Sequence, residues 1–333
     1  MTGPSRVAVK VVSLATAGAF TAYLTWPSPS KAARTSATEP LASTHFTPAT
    51  LASSVPSVPH SKLLTLTLPP HLLPPKDAFP RAIWSIYVKD SDLQIERPYT
   101  PLEGTDGLER GELKLWVKRY DDGEVSRWLC SRPPGEMLEI RGPVQTWAMP
   151  PPSDTSAEQF DEVFLISGGT GITPFYQLLH SLFSDPTRVS GKTHYTLIHS
   201  SPSTSTLPPP QLLDTLSAWA RRYPRNLSLS LCVDARDLPD PPLGIKLHEG
   251  RVGSAVLDRA LRRRSLRAQT DDAQSWWARV WPARSRPQTP RRVLFLVCGP
   301  DPMIRAIAGP KGVQTTGGVL GQMGFQEHQI RRL

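Results

Sequence analysis

The chain has 333 residues, a formal net charge of +9, 36 prolines and an apolar fraction of 39%. That length allows two domains joined by proline-rich connectors. The three cysteines, Cys130, Cys232 and Cys298, stand far apart with no Cys-x-x-Cys pair or metal-type histidine spacing, which argues against a disulfide scaffold or a structural zinc site. The arginines cluster at Arg259, Arg262, Arg263, Arg264 and Arg267, and again at Arg279, Arg284, Arg286, Arg291 and Arg292. No nucleic-acid-binding signature accompanies them, so they read as a solvated basic insertion, with docking on anionic lipid or an acidic protein as the sharper alternative.

Residues 1–26 form a separate unit. Arg6 and Lys10 are basic, as are Lys31 and Arg34 beyond them, and no acid precedes Glu39, a bias like that of a mitochondrial presequence. Val11 to Trp26 is uncharged and apolar, slightly short for a ~30 Å hydrocarbon core unless Lys10 snorkels and recruits Val7 to Val9. The segment reads as a targeting sequence doubling as a single transmembrane anchor helix; a cleaved secretory signal is the competing reading. Residues 27–44 read as a Ser/Pro/Ala linker.

From His45 to about residue 150 short β-rich runs alternate with proline and charged turns. Phe46–Leu51, Leu63–Leu68, Ala82–Val88, Gln94–Glu96, Glu112–Lys118 and Met137–Arg141 are strand candidates, the last ending at Gly142-Pro143. Their spacing predicts an antiparallel barrel or sandwich. Residues 151–160, with Pro150 to Pro152 at their start, read as a second linker. From 161 to 333 strands at Glu162–Ile166, Thr193–His199, Leu227–Val233 and Arg292–Val297 alternate with helices at Phe175–Phe183 and Gln211–Arg222. That alternation predicts an α/β doubly wound parallel sheet, interrupted by the basic insertion at about 262–291, whose Trp276, Trp277 and Trp281 would tack it to the surface.

Four stretches carry candidate chemistry. Arg97-Pro98-Tyr99-Thr100 offers a permanent cation, a phenol and a hydroxyl on a stiffened backbone, suited to a planar ring bearing anionic groups. Its bland reading is a hairpin rim. Gly123-Glu124-Val125-Ser126 reads as a helix start with exposed amides able to hold a pyrophosphate, or as a plain Ser-capped helix. Gly168-Gly169-Thr170-Gly171-Ile172-Thr173-Pro174 runs from a buried strand into a helix, where glycines allow close approach, free N–H groups bind phosphate and Thr170 and Thr173 add hydroxyl donors. Cys298-Gly299-Pro300 ends another strand, and ligands of open α/β sheets lie at such ends.

Taken in order, these motifs resemble the ferredoxin–NADP reductase-like flavoproteins of the cytochrome-b5-reductase type, over about His45 to the C-terminus. The resemblance implies an FAD-binding barrel followed by an NAD(P)-binding domain, and an FAD-dependent oxidoreductase taking hydride from NADH or NADPH. It implies that Arg97, Pro98, Tyr99, Thr100 and Lys118 line the flavin, and that Gly123, Glu124, Val125 and Ser126 hold its pyrophosphate. It further implies that Gly168, Gly169, Thr170, Gly171, Thr173 and Pro174 take the nicotinamide nucleotide, and that Cys298, Gly299 and Pro300 lie near its reactive ring. Thr100 and Cys298 are the candidate catalytic residues. A narrower resemblance, to the fungal cytochrome c mitochondrial import factors, rests on the N-terminal anchor, Ala308 to Lys311, Gly317 to Gly321 and Arg331-Arg332-Leu333. It implies a mitochondrial inner-membrane protein, its catalytic domain in the intermembrane space, that supplies electrons to a haem-type acceptor. Its partner would be cytochrome c or its haem-attaching enzyme. A general NADH–cytochrome b5 reductase and a non-catalytic assembly factor are the alternatives. The chain departs from ordinary cytochrome-b5 reductases in lacking a terminal aromatic strand, in its basic insertion and in its connection around Gly309 to Gly318.

Overall fold

The computed structural model describes residues 33–79, 83–148, 160–189, 192–238, 245–264, 266, 291–310 and 317–333. The expected targeting and anchor segment (1–26), nearly all of the second linker and most of the basic insertion lie outside the described residues. Among the described residues no helix is long and apolar enough to cross a membrane.

Alternating apolar side chains make the first half a six-stranded antiparallel sheet in the order β4-β3-β6-β1-β2-β5. The strands are β1 (Thr47–Pro56), β2 (Ser61–Thr67), β3 (Ile83–Asp90), β4 (Ile95–Tyr99), β5 (Glu112–Lys118) and β6 (Met137–Trp147), with α1 (Gly104–Glu109) before β5 and α2 (Glu124–Ser131) after it. The sheet curls on itself: the Leu102 N–H, just past β4, donates to the Lys114 carbonyl of β5. Its inner face carries Leu51, Leu64, Leu66, Trp84, Ile86, Leu115 and Ile140, all essentially inaccessible. The chain joins this body earlier than its texture predicts. The Ser36 N–H donates to the Phe46 carbonyl, and Leu41 lies in the core with its N–H on the Leu72 carbonyl. β6 also runs past Gly142-Pro143, because its register with β3 slips between Ser85 and Tyr87, and an irregularity tolerates a proline without a ladder N–H.

The second half is a parallel six-stranded sheet in the order β10-β9-β8-β7-β11-β12. It comprises β7 (Glu162–Gly168), α3 (Thr173–Phe183), β8 (His194–Ser203), α4 (Pro210–Arg222), β9 (Leu227–Ala235), β10 (Lys246–Glu249), α5 (Ser254–Arg263), β11 (Val293–Cys298), α6 (Asp301–Ala308), α7 (Gly318–Gln322) and β12 (Ile330–Arg332). β7 is buried along its whole length, as a central parallel strand is. β12 pairs in parallel with β11, so the terminal strand is present although it carries no aromatic residue. The flanks of the basic insertion converge on one carboxylate: Arg264 and Arg291 both donate to Glu162, whose side chain is 2% exposed. Residues 36–333, with both sheets, form one compact unit, and one apolar core runs between its halves, joining Ile83, Leu102 and Trp116 to Ile172, Phe175 and Leu178.

Candidate functional site

In a doubly wound sheet the strand order reverses beside the first strand, and a crevice opens at the carboxyl ends of the strands flanking that point. Here those strands are β7 and β11, adjacent and in register from Val293 opposite Glu162 to Cys298 opposite Ser167. The loops that leave them carry the two glycine motifs. They pack closely: a Cβ on Gly168 would stand 2.6 Å from Met303 Sδ, and one on Gly299 would stand 3.0 Å from the Gly168 nitrogen. Gly169 alone of the motif glycines needs the left-handed backbone region, at φ +55°, and its missing Cβ faces open space near the Tyr120 hydroxyl.

The antiparallel half closes the same crevice. The resulting cleft encloses about 770 Å³. It is lined by Arg97, Pro98, Tyr99, Thr100, Lys118, Gly123, Glu124, Val125 and Ser126 on one side, and by Gly168, Thr170, Gly171, Thr173, Pro174, Cys298, Gly299 and Pro300 on the other. The four motifs, dispersed over about two hundred residues of sequence, therefore meet in one place; of the expected site residues only Gly169 is not part of the lining.

Individual side chains act less simply than their types suggest. Thr173 Oγ1 donates to the Thr170 carbonyl at 3.0 Å, so its hydroxyl braces the loop instead of offering its proton to the cleft. Thr170 Oγ1 lies 3.5 Å from the Tyr120 hydroxyl across the cleft. Ser126 Oγ accepts from the Tyr120 N–H and donates to the Gly123 carbonyl, tying the turn before α2 while the first-turn amides of that helix receive no side-chain cap. Thr100 Oγ1 meets Ser85 Oγ at 3.3 Å, both nearly buried. Burial raises the Tyr99 hydroxyl well above its usual pKa, with Cys130 adding to the shift and Arg97 opposing it, so the phenol stays protonated as a donor. Arg97 and Lys118 bring positive charge to the cleft; Asp122 and Glu124 bring negative charge to its α2 rim.

Several lining residues escaped the motif reading. Ser85 and Tyr87 on β3, and Val144 and Thr146 on β6, are i, i+2 pairs that share a face, and Trp116 stands two residues before the expected Lys118 on β5. Strand periodicity would have found them once their neighbours were known. Nothing in the sequence singles out Tyr120. The pair Arg221 and Arg222 lies away from the cleft: Arg221 donates to Ser217 at 2.8 Å, and Arg222 stacks over Tyr223.

The sequence family described as the oxidoreductase FAD-binding domain matches residues 83–149, and the oxidoreductase NAD-binding domain matches residues 165–309. The chain belongs to the FAD- and NAD-binding oxidoreductases. FAD and a nicotinamide nucleotide are the cofactors of these domains. The protein is similar to the NADH-cytochrome b5 reductase 2 of Mycosarcoma maydis, with 27% identity over 245 residues. The match covers 72% of this oxidoreductase, which spans 58% of that relative's length. The protein of the same name from Candida albicans is 28% identical over 250 residues, covering 73% of this chain and 68% of the relative. In fold it is similar to the cytochrome b5 reductase domain of Ulva prolifera nitrate reductase, with a TM-score of 0.63 at 20% identity, covering 88% of this chain and 100% of that one. It also resembles a ferredoxin NADP+ reductase from Neisseria gonorrhoeae, with a TM-score of 0.56 at 16% identity, covering 86% and 98%.

The cleft fits FAD on its own chemistry. A fixed guanidinium at Arg97, a protonated phenol at Tyr99 and uncapped helix amides after Gly123 are donors to phosphate and ring acceptors. Arg97→Ala is expected to weaken FAD retention by ~1.5–3 kcal/mol, or roughly 10- to 150-fold in Kd. A fluorimetric FAD titration of the apoprotein measures it; unchanged affinity would make Arg97 a rim residue whose bond to the Glu96 carbonyl is all it contributes.

Proposed function

We propose that this protein takes hydride from NADH onto FAD and passes electrons singly to a haem-type acceptor of the cytochrome b5 kind. One observation carries the reading: the strand end at Thr100 and the strand-end loops at Gly168 and Cys298 open into a single cleft, so two cofactors can be held against each other. Bound FAD would supply the redox chemistry, taking one hydride with its electron pair and giving the two electrons up one at a time. The protein's part is positional. Arg97 and the α2 amides hold the phosphate-bearing portion, Tyr99 donates a hydrogen bond, and Thr100 and Ser85 fix the ring-side wall. The loops after β7 and β11 seat the nicotinamide nucleotide with Cys298 beside the reacting ring. No protein acid or base has to touch the migrating hydride.

The names of the relatives favour NADH and a cytochrome b5-type acceptor over the narrower reading in haem attachment to cytochrome c. Arg221 and Arg222 lie outside the cleft, which also favours NADH over its 2′-phosphorylated form. We further propose a mitochondrial inner-membrane location, supported by the basic and apolar character of residues 1–26; protease protection in mitoplasts tests it.

The test of the activity is an anaerobic NADH titration of the purified yellow protein. The ~450 nm flavin band is expected to bleach. Addition of cytochrome b5 is then expected to restore it as the haem is reduced. A bound flavin that NADH leaves oxidised would overturn the enzymatic reading and favour an assembly role. Reduction of cytochrome c without reduction of cytochrome b5 would return the acceptor to the narrower reading.

A further inference from the structure

Gln177 lies in α3, just past the 168–174 loop, yet both bonds of its side-chain amide go to the antiparallel half. Its Oε1 accepts from the Trp84 N–H at 2.8 Å, and its Nε2 donates to the Pro101 carbonyl at 2.8 Å. The partners fix the orientation of the amide, since a backbone N–H only donates and a carbonyl only accepts. The residue is 1% exposed. Pro101 directly follows Thr100 and Trp84 directly precedes Ser85, the two residues whose hydroxyls touch at the cleft wall. The chain also makes room for this side chain: Gly104, at φ +53°, would bring a Cβ to 3.0 Å from Gln177 Cγ.

We infer that Gln177 is a positioning residue for hydride transfer, locking the nicotinamide-side loop to the flavin-side strand ends. The inference rests on the oxidoreductase reading above. The apolar core shared by the two halves is non-directional, and many slightly shifted packings bury nearly the same area. Two directed bonds with fully buried partners specify one packing, because any slip leaves a buried N–H or carbonyl unsatisfied. Hydride transfer is sensitive to such a slip, since the reacting atoms must come within about 3–3.5 Å in the right orientation. The lever is short. Gln177 lies one helical turn, three intervening residues, beyond Thr173 on one side, and one peptide separates its partners from Thr100 and Ser85 on the other.

The experiment uses the FAD-loaded protein and Gln177→Met, which keeps the volume and removes both bonds. Gln177→Glu keeps the shape and one acceptor, and Gly104→Ala displaces the same side chain from the opposite half. Four quantities are measured: FAD occupancy, the Michaelis constant for NADH, the single-turnover rate of flavin reduction with NADH and with NADH deuterated at C4, and hydrogen exchange at the Trp84 amide. In Gln177→Met the reduction rate is expected to fall about tenfold or more, with the Michaelis constant within about twofold and FAD occupancy unchanged. The deuterium isotope effect is expected to rise and the Trp84 amide to exchange faster. Gly104→Ala is expected to give the same signature. A merely structural role would lower FAD occupancy and thermal stability while leaving the isotope effect in place. Wild-type reduction rates and isotope effect in a variant whose Trp84 amide exchanges faster would overturn the inference. If Gln177→Met does not fold, Gln177→Glu decides by the same readouts. Failure of NADH to bleach the unsubstituted protein would instead sink the oxidoreductase reading, so the two failures are distinct.

Discussion

Replacing Gly171 by valine is expected to lower NADH-dependent flavin reduction about 100-fold or more while leaving FAD bound. A Cβ at this position would press on the Cys298 carbonyl oxygen, 2.6 Å from the carbonyl carbon and 2.8 Å from Gly299 Cα. All three atoms are backbone, so no side chain can rotate away. The loops after β7 and β11 would have to part, and these loops form the proposed nucleotide side of the cleft. Overpacking of this kind costs ~1–3 kcal/mol in stability as well. The flavin side should be spared, because Arg97, Tyr99 and the start of α2 belong to the antiparallel sheet with its own core. The ratio of flavin to protein absorbance, followed by stopped-flow reduction with NADH, measures both halves of the expectation. An unchanged rate and Michaelis constant would show that the loops can separate without disturbing the nucleotide. The reason for the glycine differs from the one its sequence suggests. The motif predicts an approach by a ligand; the structure shows an approach by the neighbouring loop.

That difference illustrates what was legible. β2 and β5 follow from period-two alternation, and β7 from an apolar run ending in glycines, because these signals are local. The meeting of Gly168 and Cys298 follows from the strand-end rule for open α/β sheets; that Arg97 and Gly123 join them was legible only through resemblance, since nothing within any one segment encodes its distance from the others. The rest depended on partners remote in sequence. Glu162 opens a strand that reads as apolar, and its carboxylate is acceptable there only because Arg264 and Arg291, 102 and 129 residues onward, turn toward it. α1 contains two glycines and has no helical pattern; it forms where the Gly104 N–H meets the Pro101 carbonyl and Gln177 packs alongside. Leu41 lies in a stretch whose composition reads as a linker, yet its side chain is buried in the core of the antiparallel half and its N–H bonds the Leu72 carbonyl. Gln177 itself sits in a helix that reads correctly, but its two partners lie 93 and 76 residues earlier.

Stability is expected to fall as the pH drops below about 6.5, through a group the chemistry does not use. His199 is fully buried on β8, with Nδ1 2.9 Å from Ser167 Oγ and Nε2 3.0 Å from Ser201 Oγ. Ser201 Oγ in turn donates to the Thr206 carbonyl. The imidazole thus bridges β7 to β8 directly beneath the Gly168 loop. Burial, with the Lys118 charge adding to it, pushes its pKa down to about 3. In the unfolded chain the same histidine binds a proton near pH 6.5. Between those values the unfolded state holds more protons than the folded one, so stability rises with pH across the window. The contribution is complete above about pH 6.5 and is lost progressively as the pH falls toward 3. From pH 7.5 to 5.0 the loss from this residue amounts to about 2 kcal/mol. Depressed carboxylates do not interfere there, since the effects of Glu103 and Asp237 are lost only at lower pH, below their usual values of 4.5 and 3.8. His194 is also depressed by burial and has the same sign, so the wild-type slope alone is not diagnostic. The measurement is therefore a difference: urea unfolding of the wild type and of His199→Gln at pH 7.5 and 5.0. The variant is expected to be less stable at pH 7.5, where it loses the bridge, but to decline by ~2 kcal/mol less on acidification. Parallel losses in the two proteins would mean that His199 takes up its proton without unfolding the strand ends that carry the Gly168 loop.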